Sequence, residues 1–171
     1  MYLLGGMCLF KYFLQLVVGI FILGVSTFIA WYEGSAIVED TFEWEYSTPF
    51  TKMLNKDITN GHDISQLDYF VYAVKFQPVF PIIMMMSVLY LLSVTGYYLI
   101  KLRKSDWGIA FWGIIGLLML IVSGFLYSSS IVGDSVIFWI SILSGIIFIS
   151  VSILLWSKNL KYKRTYNTSE M

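Results

Sequence analysis

Charge is scarce in this sequence, and four long stretches have none. Charged residues make up 13% of the 171 positions and apolar residues 58%. Mean hydropathy is +0.75, an excess of apolar surface that a water-soluble domain has no interior to hold. Cysteine is nearly absent too. Cys8 is the one cysteine, which excludes an intramolecular disulfide, a thiol-pair redox centre and a cysteine-rich zinc site. Its expected role is that of a small apolar residue near a membrane interface. Leu4-Gly5-Gly6-Met7 before it is not the apolar stretch of a lipoprotein signal, because the long apolar run lies after the cysteine. The single histidine, His62, stands in Asn60-Gly61-His62-Asp63, a turn-like setting in which an imidazole is expected to be solvated. Nucleic-acid binding is not expected, since no basic patch lies outside the short loops and the tail.

The uncharged runs have the length of membrane spans. Tyr12 to Ala30 is the first, close to the roughly 20 residues an α-helix needs to cross about 30 Å of hydrocarbon. Lys11 precedes it as in a signal peptide, but Phe28 occupies the −3 position for cleavage after Ala30, where a small residue is wanted, so an uncleaved anchor is expected. The second apolar run reaches from about Phe76 to Ile100. Pro78 and Pro81 each remove a backbone donor, which predicts a kink or helix start there and a straight span over 79–100. The third span is read over 108–127 and the fourth over 136–156, both without charge. An unpaired backbone amide in hydrocarbon costs several kcal/mol, so runs of this length are predicted to be helices; barrel strands would show about ten residues of alternating polarity. The expected fold is thus an all-α integral membrane protein, one four-transmembrane-helix bundle. An outer loop over 31–75, an inner loop over 101–107, an outer turn over 128–135 and a tail over 157–171 complete it. The two short connections force antiparallel neighbours.

Lysine and arginine give the orientation. Lys11, Lys101, Arg103, Lys104, Lys158, Lys161, Lys163 and Arg164 flank one face. Lys52, Lys56 and Lys75 lie in the 31–75 loop among eight acids, Glu33, Glu39, Asp40, Glu43, Glu45, Asp57, Asp63 and Asp68. The scarcity of basic residues near the outer helix ends places that loop outside a plasma membrane and both termini in the cytoplasm. Trp and Tyr near the ends of the runs fit an interfacial belt.

The 31–75 loop is acidic and aromatic, not a flexible linker. In Thr41-Phe42-Glu43-Trp44-Glu45-Tyr46 the aromatics alternate with polar residues at period two, which predicts a short, half-buried β-strand ended by Ser47-Thr48-Pro49. Ser65-Gln66-Leu67-Asp68 has the spacing of a capping box and predicts a helix over 66–77. The plainer expectation is that the loop aromatics pack on the outer helix ends while the acids keep the loop soluble. The functional one is a recognition surface for an envelope protein or cationic ligand, with Phe42, Trp44 and Tyr46 as anchors. Glu39, Asp40, Glu43 and Glu45 lack calcium-loop spacing, and no metal or cofactor is expected.

Nothing in the spans suggests catalysis or coupled transport. A translocated ion or proton needs intramembrane acids, bases or arginine, and these runs contain none. No nucleophile, base and orienting group can be assembled at an interface either, so no catalytic residue is assigned and the protein is not expected to be an enzyme. Small residues at helical spacing, Gly113 and Gly116, and Ser141 and Gly145, predict close packing of helices three and four, with self-association through the same face as the alternative.

Ala30-Trp31-Tyr32-Glu33-Gly34-Ser35 followed by Trp44-Glu45-Tyr46-Ser47-Thr48-Pro49-Phe50 resembles the YjdJ-like family of small uncharacterised membrane proteins from Bacillus and relatives, over the first span and the outer loop. The resemblance implies a bacterial plasma membrane and carries no activity or site residues. The topology is also similar to that of the claudin class, but the paired loop cysteines of that class are missing, and topology does not fix function. Two functions follow as expectations. The first is a non-enzymatic accessory, interaction or immunity-type factor acting through the outer loop. The second is a small transporter or channel subunit that works as an oligomer.

Overall fold

The computed structural model describes residues 2–54, 58–101, 105–128 and 134–169. Its regular elements are all helical: α1 (Tyr2–Gly34), α2 (Pro49–Met53), α3 (Gln66–Phe76), α4 (Val79–Lys101), α5 (Ser105–Ser128) and α6 (Asp134–Ser169). Single turns of 3-10 helix occur at Ser35–Val38, Thr41–Glu43 and Gly61–Asp63. Four of these helices are long and apolar enough to cross a membrane. Their outer faces carry exposed Phe13, Phe21, Phe28, Ile114, Leu118, Ile147 and Leu154, apolar surface of a kind that calls for lipid or another protein chain.

Helix ends depart from span ends in an instructive way. α1 starts near the N-terminus and α6 runs on through the basic tail to Ser169, because an uncharged run measures hydrocarbon thickness and not helix length. Neither flank contains proline, and lysine and arginine are good helix formers in water. Pro78 precedes α4, and Pro81 falls in its first turn, where the missing N–H would have had no intrahelical partner anyway. The basic residues Arg103 and Lys104 and positions 129–133 of the turn expected over 128–135 lie outside the described residues, as do Lys56, Asp57 and the side chain of Cys8.

Two compact units are present. One comprises Met1–Leu16, Leu89–Ser130 and Ile137–Met171, the other Val17–Val88 and Ile131–Val136. In the first, the Trp112 indole of α5 is buried edge-on against Phe148 of α6, with centroids 4.8 Å apart. Gly96 of α4 leaves it room, since a β-carbon there would stand 2.6 Å from the ring. The backbones of α5 and α6 come together at Gly116 and Gly145. A β-carbon on Gly116 would lie 3.0 Å from the Gly145 carbonyl oxygen, and one on Gly145 3.1 Å from that of Gly116. Ser152 adds a hydrogen bond from its hydroxyl to the Ile109 carbonyl at 2.9 Å. Tyr12 stacks on Tyr98 at 4.0 Å in the same unit.

In the second unit the segment from Ser35 to Gln77 folds as a small module on the C-terminal end of α1. Its core is Ile37, Ile64 and Tyr72, with Val38, Trp44, Ile58 and Tyr69 packed around them. The β-strand expected over 42–46 is absent; no strand occurs among the described residues. A lone strand would leave both edges unpaired. Here Glu43, Tyr46 and Ser47 instead give their backbone N–H groups to carbonyls three or four residues back.

Candidate functional site: the module over 35–77

Why Trp44 and its neighbours part company follows from that winding. In a strand, positions 42, 44 and 46 share a face; at three to four residues per turn, 42 and 46 share a side and 44 faces away. Trp44 accordingly turns inward, and its indole N–H donates to the Ile37 carbonyl at 2.8 Å. Phe42 and Tyr46 turn outward and are 89% and 69% exposed. Of the three expected anchors, Trp44 is thus partly buried and packed against the module's own core. Phe42 and Tyr46 remain on the surface.

The acids do more than keep the module soluble. Asp68 on α3 is fully buried. Its carboxylate accepts from the backbone N–H groups of Phe50 and Thr51, each at 2.9 Å, and from the Thr51 hydroxyl at 2.5 Å. A carboxylate from another helix therefore caps the N-terminus of α2, where free amide donors and the positive end of the helix dipole favour an anion. Thr51 Oγ1 in turn accepts the Ser65 N–H at 2.8 Å. The capping box expected at Ser65 is only half formed: the Ser65 hydroxyl takes the Leu67 N–H, while Asp68 points across to α2.

A second tie joins the 41–48 turns to the last turn of α3. Lys75 Nζ contacts Glu43 Oε2 at 2.5 Å, with both side chains about four-fifths buried, and the Ser47 hydroxyl donates to the same oxygen at 2.8 Å. The Lys75 ammonium, then the Ser47 hydroxyl, hold the Glu43 carboxyl below its usual range. Tyr72 donates its phenol to Asp40 Oδ2 at 3.1 Å. Burial first, and then this bond, push its ionisation above the ordinary tyrosine value. Asp63 accepts from the backbone N–H groups of Thr59 and Asn60, which fixes the turn that leaves His62 exposed. Asp40 and Glu43, two of the four acids weighed for calcium, are thus engaged inside the module. Among the described residues no three His, Cys, Asp or Glu side chains gather as a metal site would require.

The sequence reading missed Asp68 and Thr51 as the module's central pair. The signal was present: Asp68 lies four residues before Tyr72, on the apolar side of a helix, where a carboxylate is seldom found without partners.

The module is anchored closely. A β-carbon on Gly34 would fall 1.9 Å from the Tyr69 carbonyl oxygen, so α3 lies with its backbone directly on the end of α1, and the Trp31 and Tyr69 rings meet at 6.2 Å. The predicted packing residues of the other unit are elsewhere: Gly116 and Gly145 face each other, a β-carbon on Gly113 would lie 3.2 Å from the Ser152 hydroxyl, and Ser141 is buried with its hydroxyl bonded to the Ile137 carbonyl.

Residues 13–100 match a family model described as a domain of unknown function, DUF4306, a stretch that begins in α1, contains the whole module and ends in α4. Over 82 residues the chain is 37% identical to the uncharacterized protein YjdJ of Bacillus subtilis (strain 168), covering 46% of this chain and 75% of that protein. No solved structure gives a significant match.

Proposed function

The chain belongs to the DUF4306 family, and we propose that it is a non-enzymatic, multi-pass plasma-membrane protein that acts as an accessory or immunity-type factor. In this reading both termini are cytoplasmic, and the outer module presents an interaction surface to another envelope protein. The observation that carries it is the division of labour among the loop aromatics. Trp44 and Tyr72 pack in and against the core, whereas Phe42 and Tyr46 stand out from a module that has a core of its own. Large exposed aromatics on a fixed scaffold lose little conformational freedom on binding, which is why such residues dominate interface energetics. The family match supports the same emphasis, since it spans the module and its two flanking helices and stops before α5.

The oligomeric channel reading gains less support, because the small-residue faces that would have lined a subunit contact at Gly116 and Gly145 are turned toward each other within one chain. A photoreactive residue at position 42 in intact cells tests the proposal. The expected outcome is one discrete crosslinked partner that disappears when Tyr46 is replaced by alanine. Capture of lipid alone, or of many unrelated proteins, would reject a specific protein partner.

A further inference from the structure

α2 offers a second exposed face, separate from Phe42 and Tyr46. Phe50, Met53 and Leu54 lie at positions i, i+3 and i+4, and the Leu54 N–H still bonds back to the Phe50 carbonyl, so one helical winding carries all three on one side. All three are exposed, Met53 at 82% and Leu54 at 62%, while Thr51 between them is fully buried on Asp68. Beside them stands Lys52, also exposed, whose ammonium donates to the Glu45 carbonyl and meets no carboxylate among the described residues. In a segment rich in acids, α2 is thus a cationic and apolar spot.

We propose that this face of α2 inserts into the headgroup layer of the outer leaflet, with Lys52 at the lipid phosphates, and so fixes the module flat on the membrane surface. The inference rests on the reading that α1 and α4 cross the bilayer with the module outside. Geometry and size favour lipid as the occupant. α3 lies directly on the end of α1, and Asp68 ties α2 to α3. α2 is therefore held close to the end of α1 by two direct contacts. Insertion into lipid needs little area, because a module tethered through both ends already meets the bilayer at high effective concentration. A short helix with an apolar side and a lysine at its edge is the chemistry that binds at such an interface.

The full-length chain tests this in vesicles of phosphatidylcholine containing phosphatidylglycerol. With Cys8→Ser as background, single cysteines replace Leu54, Met53 or, for comparison, the exposed His62, and each carries a nitroxide. The expected result is a roughly tenfold lower collision rate with a polar nickel complex at positions 53 and 54 than at 62, with oxygen collisions kept high, since an apolar layer excludes the complex and not oxygen. Lys52→Glu should reduce that protection. Nickel access at 53 and 54 equal to that at 62 overturns the proposal, as does low access to both reagents, which would mean a protein contact. An impermeant thiol reagent applied to intact cells carrying Asn60→Cys separates the two failures. Labelling there with aqueous probes on α2 sinks the docking alone, whereas no labelling sinks the orientation on which it depends.

Discussion

Asp68 is the residue on which the module's geometry turns, because one buried carboxylate accepts from two backbone amides and a hydroxyl. Replacement by asparagine keeps the shape but puts an NH2 group where an acceptor is needed, so at least one amide of α2 loses its partner. Hydrogen bonds to a charged acceptor are worth about 1.5–3 kcal/mol, and a stranded buried donor costs in the same range. Asp68→Asn should therefore destabilise the module by about 2 kcal/mol and raise its open population by roughly thirtyfold. Trypsin cleavage after Lys52 reads this directly where opening is fast relative to cutting. Unchanged cleavage would mean that the carboxylate is dispensable. Trp44 makes a related point about legibility. Its aromatic character was plain in the sequence, but its direction depended on whether the backbone winds or extends, and alternation over five residues could not decide that.

At the scale of elements, the junction between α1 and α3 is the tightest contact in the module. Gly34 has an ordinary helical backbone, with φ of −68°, so its role is room and not conformation. Gly34→Ala would drive a methyl into the Tyr69 carbonyl, and because backbone cannot rotate away, the cost should reach or exceed the upper end of the usual 1–3 kcal/mol for overpacking, about 3 kcal/mol. Gly24→Ala in the same helix meets nothing within 4 Å and should show no loss, only alanine's gain of up to about 1 kcal/mol in helix propensity. Comparing protease resistance of the two variants isolates the junction from any general effect of alanine on helix propensity. The tie between the 41–48 turns and α3 behaves differently, since it is ionic. Glu43 has a lowered pKa in the folded module, so it contributes stability in full above its ordinary unfolded value and loses it as pH falls through the lower folded value. Tyr72, raised in the folded module, contributes in full below its ordinary value and loses that contribution as pH rises through the higher folded one. The module should hold a stability plateau through neutral pH with a shoulder on each side. In a pH series of Trp44 fluorescence, Lys75→Met should flatten the acid shoulder and leave the alkaline one; an unaltered acid limb would show that Glu43 is not its source.

Over the whole molecule, what could be read from the sequence was set by the range of the physics involved. Four uncharged runs predict four long helices because every residue in a run faces the same requirement, and the helices are there. Capping at Ser65 and the prolines at the start of α4 are local signals, and they too mark real ends. The module's frame was hidden because its main ties join residues 14 to 32 positions apart, such as Thr51 with Ser65 and Glu43 with Lys75. No local pattern announces such pairs. Orientation is a property of the same global kind, and the asymmetry of lysine and arginine that predicts it concerns positions far apart in the chain. It is also the simplest to test. A cysteine at Asn60 and one at Lys158, each exposed and each in a Cys8→Ser background, should react oppositely with an impermeant reagent: the first in intact cells, the second only after the membrane is opened. If both react in intact cells, four crossings with an inward tail are wrong. If neither reacts until the membrane is opened, the module lies inside, and the basic residues flanking the other face do not govern insertion in this protein.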